Sequence, residues 1–193
     1  MTVEVRPATA ERWDDLRAVL QPKKSAHTCW CMAWRLTTGD YGRMSADERG
    51  AHLRSLVESA DPPPGVLGYV DGEVAGWCNV APRKHLDRLA SSKTITPVDE
   101  VPVWSVTCFV VRKDFRGKGV ATALLEGAVE HARAHGAPAV EGYPVDPEGD
   151  RVNPTLAYVG TMEMFERAGF RRVKRTEAKS DKRHRWVLRR DLV

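Results

Sequence analysis

No apolar run in the 193 residues approaches the roughly 20 consecutive positions that a membrane-spanning helix needs. The first residues, Met1-Thr2-Val3-Glu4-Val5-Arg6-Pro7, contain no signal-peptide core, so no membrane partner is expected and the cytoplasm is the expected compartment. Cysteine is scarce. Cys29, Cys31, Cys78 and Cys108 sit in strand-like or aromatic surroundings, which predicts reduced and mostly buried thiols rather than a disulfide framework. The Walker pattern of Gly, four residues, then Gly-Lys-Ser/Thr is missing, which removes the P-loop nucleotide-binding class. Neither an internal repeat nor a low-complexity linker interrupts the chain, and its length suits one core, so residues 1–193 are expected to form a single domain.

What is present is an ordinary globular composition, 42% hydrophobic and 29% charged, with a formal net charge of +4. That excess favours an anionic ligand of some kind. Its densest runs, Arg171-Arg172-Val173-Lys174-Arg175 and Lys182-Arg183-His184-Arg185, read as the solvated face of a terminal hairpin. With no aromatic-basic alternation and no recognition-helix signature, no nucleic-acid partner is expected.

Periodicity lays out the rest. Val3 to Arg6 reads as a strand, and Thr9 is placed to cap a helix carrying Trp13, Leu16 and Leu20. Ser45-Ala46-Asp47-Glu48 is a capping box ahead of a second helix striped by Leu53, Leu56, Val57 and Ala60. Asp71-Gly72 between two apolar runs predicts a tight hairpin. After irregular chain with a helical turn near His85 to Leu89, Val103 to Val111 reads as a central strand. Next come a helix with Ala121, Leu124, Leu125, Ala128 and Ala132 on one face, a strand at Ala139 to Tyr143, and a polar loop from Pro144 to Pro154. A short helix at Thr161 to Ala168 and closing strands at Phe170 to Lys174 and Arg185 to Arg189 complete the order β-α-α-β-β-β-α-β-α-β-β, one mixed α/β fold.

Arg116-Gly117-Lys118-Gly119-Val120-Ala121-Thr122 follows the central strand and opens a helix, where main-chain amides are free and a phosphate can sit. Glycine brings the backbone close to such a ligand, and Arg116 and Lys118 add charge. A plain tight turn is the alternative. So is a dinucleotide site, because Gly117-x-Gly119-x-x-Thr122 nearly matches G-x-G-x-x-G and Glu141 stands where a ribose-binding carboxylate would be sought. Against it, Arg112-Lys113-Asp114-Phe115 separate strand from glycines, and Thr122 takes the place of the third glycine.

The stretch from Phe109 to Ala121 resembles motif A of the GCN5-related N-acetyltransferases, whose core is Arg/Gln-x-x-Gly-x-Gly/Ala; Arg116, Gly119 and Ala121 fit it. Met164-Phe165-Glu166-Arg167-Ala168-Gly169-Phe170 resembles that family's motif B. The resemblance implies a mixed, centrally splayed β-sheet flanked by helices on both faces, with acetyl-CoA as co-substrate and a small-molecule or peptide amine as acceptor. It implies that main-chain groups of Phe109 and Val111 pair with the pantetheine. An amide in the Cys108 to Val110 region, assigned to Val110, would meet the thioester oxyanion. The amides of Gly117, Lys118, Gly119, Val120, Ala121 and Thr122 would hold the pyrophosphate. Where many members carry a tyrosine acid in motif B, this chain has Phe165. That substitution keeps open a non-catalytic CoA-binding module; a nicotinamide- or flavin-dependent oxidoreductase is a further alternative. Tyr158, two helical turns earlier if the helix reaches that far, is expected at the cofactor.

An ammonium acceptor must lose a proton before attack, so a carboxylate near the splay is expected. Glu141 is the first candidate, and Asp146, Asp99 and Glu100 are weaker ones. The acceptor is expected against the first helices, where Trp30, Trp34 and Arg35 line a pocket or, since the two indoles would share a helical face, belong to the core. His27-x-Cys29-x-Cys31 lacks a fourth ligand at suitable spacing, so no metal is expected. An exposed final strand would support a homodimer.

Overall fold

A computed structural model describes residues 2–21, 28–149 and 154–193, with main chain only for 154 and 155. The chain opens with β1 (Val3–Pro7) and, after a 3-10 turn, α1 (Trp13–Leu20). Thr9 does not cap with its side chain as expected: its hydroxyl accepts instead from Arg12 Nη1 at 2.8 Å, and the α-helix starts later, at Trp13. A short helix that periodicity did not signal, α2 (Thr38–Arg43), precedes α3 (Ala46–Ser59). The box at the start of α3 is formed as read, with Glu48 N donating to Ser45 Oγ at 3.2 Å and Ser45 N donating to Glu48 Oε2 at 2.7 Å. Ser45→Ala is therefore expected to lower stability by about 1 kcal/mol, read as a shift of the urea midpoint at unchanged slope.

β2 (Gly65–Val70) and β3 (Glu73–Pro82) form the hairpin, and Asp71 and Gly72 take φ of 50° and 83°, as a mirror-image turn requires. A single turn, α4 (Asp87–Ala90), leads by an irregular stretch to β4 (Trp104–Val111). Then follow α5 (Val120–Ala134), β5 (Ala139–Gly142), α6 (Met162–Arg167), β6 (Arg171–Ser180) and β7 (Arg183–Asp191). The last two strands are longer than expected. They are joined at Asp181 and Lys182, with φ of 53° and 64°, a mirror-image turn made without glycine.

The seven strands form one sheet in the order β1-β2-β3-β4-β5-β7-β6, antiparallel except between β4 and β5. Helices cover both faces. On one, α5 and α6 pack through Leu124, Leu125, Ala128, Met162 and Phe165 against Val66, Cys78, Val106 and Phe109. On the other, Leu16, Val19, Leu53 and Val57 of α1 and α3 pack on Leu67, Tyr69 and Trp77. A third cluster, with Ala81, Leu86, Leu89, Ile95, Tyr143 and Val187, extends that second face toward β7. Among the described residues no helix is long and apolar enough to cross a membrane.

Candidate active site

The site is built around a strand that loses its neighbour. β4 pairs with β5 over three rungs only, Trp104 with Val140, Ser105 with Glu141 and Val106 with Gly142, after which the two part. On its other edge β4 stays with β3, but the register slips: Val80 lies opposite Val106 and Asn79 opposite Cys108, so Thr107 is the extra residue of a bulge. Arg112 N donates to Ala75 O at 2.9 Å, and bonded pairs alternate along an antiparallel ladder. Counting back, Val110 and Cys108 aim their main-chain groups at β3, whereas Phe109 and Val111 aim theirs into the gap. Val110 was the expected oxyanion donor; its N–H is turned toward β3, opposite Trp77, and Phe109 is the residue whose N–H faces the opening.

At the far end of the gap lies the glycine-led segment. Gly117 and Gly119 have φ of 72° and 76°, and a Cβ on either would meet nothing within 4 Å. Glycine is needed here for the left-handed backbone rather than for room. Among the described residues no side chain caps α5, and the bond from Ala123 N to Gly119 O at 3.0 Å leaves the amides of Val120, Ala121 and Thr122 ahead of it. Lys118 Nζ lies 5.4 Å from the Phe115 ring centroid, and Arg116 Nε folds back onto Val111 O at 3.2 Å. One of the main-chain acceptors expected for pantetheine thus already has a donor.

The crotch of the splay is filled by Phe165, which is fully buried. Its ring meets Phe109 edge-on at 6.3 Å and Phe170 at 5.0 Å. A Cβ on Gly142, where β5 leaves β4, would stand 2.2 Å from that ring, so strand end and aromatic are fitted to each other. Tyr158 is not on the same helix. It belongs to a 3-10 turn over Pro154–Val159, cut off from α6 by Gly160 at φ 82°, and it faces a cavity shared with Trp34 and Arg185.

Glu141 is 1% exposed and its carboxylate is fully engaged. Oε1 accepts from Arg189 Nε at 3.0 Å and Nη2 at 2.7 Å; Oε2 accepts from the Tyr143 hydroxyl at 3.0 Å. Tyr143 in turn lies 2.7 Å from Ser105 Oγ, and burial together with the Glu141 charge pushes its phenol well above the ordinary range. Glu141 therefore reaches the splay only through Tyr143. Asp99 is also held by Arg189, at 2.6 and 3.0 Å, and Asp146 accepts from Trp186 Nε1 at 2.7 Å. Glu100 is exposed.

Trp30, Trp34 and Arg35 do not share a helix. Trp30 and Cys31 have φ of 54° and 55°, so the segment turns, and its side chains diverge. Trp30 stacks on Trp13 with centroids 5.8 Å apart, in the core between α1 and α3. Trp34 stacks on Tyr143 at 6.4 Å, beside the splay. Arg35 runs under the bulge: Nε and Nη2 donate to Asn79 Oδ1 at 3.1 and 2.7 Å, Nη2 also to Pro64 O at 2.7 Å, and Asn79 Nδ2 donates to Thr107 Oγ1 at 2.6 Å. Burial lowers Arg35 to about 10. Beside it Cys31 and Cys108 place their Sγ atoms 3.1 Å apart, and Trp77 Nε1 donates to Cys31 Sγ at 3.3 Å. Those hydrogen bonds and the Arg35 charge hold the Cys31 thiol below its usual range, while Cys108 is raised by its bond to Cys31 and by burial. His27 of the His-x-Cys-x-Cys run lies outside the described residues.

Sequence reasoning missed Ser105, Thr107, Asn79, Tyr143 and Arg185. A signal existed for the first two, since hydroxyls two apart in an otherwise apolar strand mark a single face with a polar task. Arg185, read as solvated, is 5% exposed because odd-numbered residues of β7 face the third cluster.

The sequence profile of the acetyltransferase (GNAT) family matches residues 23–151. Among solved structures, an N-acetyltransferase from Staphylococcus aureus superposes with TM-score 0.57 at 15% identity, covering 99% of each chain. A GCN5-related N-acetyltransferase from Kribbella flavida does so with TM-score 0.53 at 20% identity over 98% of each. An N-acetyltransferase from Thermoplasma acidophilum, solved in complex with coenzyme A, gives TM-score 0.54 at 13% identity over 100% of each. Comparison with curated protein sequences finds no match.

Proposed function

The chain belongs to the acetyltransferase (GNAT) family, and from that premise we propose that it transfers an acetyl or similar short acyl group from acyl-CoA directly to a primary amine. The observation that carries this reading is the edge of β4 beyond Val106 that no described strand pairs with, leading to the uncapped start of α5. Main-chain groups of Phe109 and Val111 would pair with the extended pantetheine as a missing strand does. The amides from Gly117 to Thr122 would bind the pyrophosphate, aided by the helix dipole. Acyl-CoA supplies a thioester carbonyl, and the Phe109 N–H is aimed where its oxygen gathers charge as the amine attacks, a placement that contributes a few kcal/mol. The bulge fixes that aim, and Arg35 and Asn79 hold the bulge through Thr107. Glu141 keeps Tyr143 and Ser105 in place one rung before the strands part, and the acceptor ammonium gives up its proton to solvent beside them before the free amine attacks. The amine nitrogen forms its bond to the carbonyl carbon as the carbon–sulfur bond breaks. CoA thiolate, with Phe165 in place of an acid, takes its proton from water. No covalent enzyme intermediate is needed.

A thermal-shift series with acetyl-CoA, CoA, NAD and NADP tests the reading: only the two CoA ligands are expected to raise the melting temperature, increasingly with concentration. Thiol release from acetyl-CoA in the presence of an amine panel tests turnover. Stabilisation by NAD instead would overturn the proposal, and binding of CoA without turnover on any amine would leave a CoA-binding module.

A further inference from the structure

Among the described residues the wall of the cavity beside Trp34 and Tyr158 is basic and holds no carboxylate. Its volume is about 280 Å³, and its ionisable residues are Arg88, Lys179, Arg185 and Tyr158, with no aspartate or glutamate among them. At about 30 Å³ per water molecule that is room for roughly nine heavy atoms, the size of an amino acid. Arg185 is the deepest of these groups. Nη1 donates to Tyr143 O at 2.9 Å, and Nε and Nη2 donate to Ser180 Oγ at 3.2 and 2.8 Å. The guanidinium lies 5.9 Å from the Trp34 ring centroid. Among the described residues no carboxylate pairs with it, and burial pulls its pKa down with only the Tyr158 phenol opposing. Four residues along the same face of β7, Arg189 shows the contrasting arrangement, matched by both Glu141 and Asp99. Arg35 shows that amide and carbonyl oxygens alone can hold a buried guanidinium in this fold, but at Arg185 further cations line the same cavity, and an anion carried by a ligand would offset their combined charge. Three of Arg185's N–H donors are used in the bonds above. The Tyr158 phenol hydrogen-bonds the same guanidinium, so a carboxylate or phosphate would be met by the remaining N–H together with the Tyr158 hydroxyl.

The cavity adjoins the splay. Arg185 holds the carbonyl of Tyr143, and Tyr143 both stacks on Trp34 and bonds Ser105, one rung before β4 and β5 part. We propose that this cavity receives an anionic group of the acceptor, so that the acceptor is a small amine carrying a carboxylate or phosphate, gripped by Arg185 with Arg88 and Lys179 at the rim. The inference rests on the acyltransferase reading above and adds the substrate class. The polar wall and the half-buried indole together suit an amino-acid-sized molecule rather than a polycationic amine, which the three cations would repel.

The test is steady-state acetyl transfer with matched amines: amino acids against their carboxamides, phosphoethanolamine against ethanolamine, and putrescine as the cationic arm. The carboxylate or the phosphate series is expected to exceed its neutral counterpart in kcat/KM by about 100-fold, mainly through KM, and the better of the two identifies the group. Arg185→Gln should collapse that ratio, and Arg185→Lys should restore part of it. Because Arg185 also anchors Tyr143 and Ser180, the rim double variant Arg88→Gln with Lys179→Gln provides a second route, expected to lower the ratio about tenfold and to weaken its salt dependence. An independent readout is the melting temperature with the favoured anionic amine alone, which should rise for the native protein and not for Arg185→Gln. Preference for putrescine, or a ratio unmoved by both sets of variants, overturns this inference while leaving the acyltransferase reading intact. Failure to bind acetyl-CoA at all overturns both.

Discussion

Gly119→Asp is expected to weaken acetyl-CoA binding by about 100-fold or more while leaving the fold standing. The residue sits at the N-cap of α5 in the left-handed region, with open space in front of it and no side chain on the helix's first amides. An aspartate there would do two things. Its carboxylate would take the amides that a pyrophosphate would otherwise occupy, and its charge would repel the phosphates. Losing one or two charge-assisted hydrogen bonds, at about 1.5–3 kcal/mol each, gives that decrease in affinity. Stability should change little, because aspartate tolerates positive φ at a penalty of about 1 kcal/mol and gains a cap of similar size. Calorimetric titration checks the affinity and urea unfolding the stability. Unaltered affinity in a folded variant would remove the phosphate from this helix start.

A second large effect is expected at Glu141. Replacing it with leucine strips Arg189 of its most buried partner and forces the Tyr143 hydroxyl to turn its proton to Ser105, and breaking a buried pair in this way typically destabilises by about 3–5 kcal/mol. Arg189 retains Asp99, which places the expectation near the lower end, at about 3 kcal/mol. Urea denaturation reads this directly. If Glu141→Leu were as stable as the native chain but lost turnover, the carboxylate would be the proton acceptor after all, and the positioning role argued above would fall.

These two sites illustrate what the sequence shows and what it hides. The glycine-led helix start was legible because its chemistry is local: a strand, two glycines and a helix follow one another within a dozen residues. The Asp71-Gly72 hairpin and the Ser45–Glu48 box were legible for the same reason. Glu141 was misjudged because its partner Arg189 is 48 positions away, and nothing near residue 141 announces it. The turn at Trp30 and Cys31 was hidden differently. Left-handed backbone without glycine or asparagine runs against local preference, so it is held by tertiary packing, with Trp30 against Trp13 and Cys31 against Cys108. Arg185 was hidden by composition. In a run of basic residues only the pleat decides which one points inward, and that depends on where β7 meets β5.

The single surplus residue at Thr107 works like a skipped tooth in a zip. Ahead of it, even-numbered peptide groups of β4 engage β5; behind it, odd-numbered ones stand free, and Thr107 and Cys108 lie side by side on one surface. Shortening the strand by one position would undo that change of parity. Phe109 would then swing from the aromatic cluster to the opposite surface, and the peptide groups left to greet a ligand would be those of its neighbours. Which peptide groups of β4 face the gap is thus set by an odd count, and no exchange of side chains alone could substitute for it.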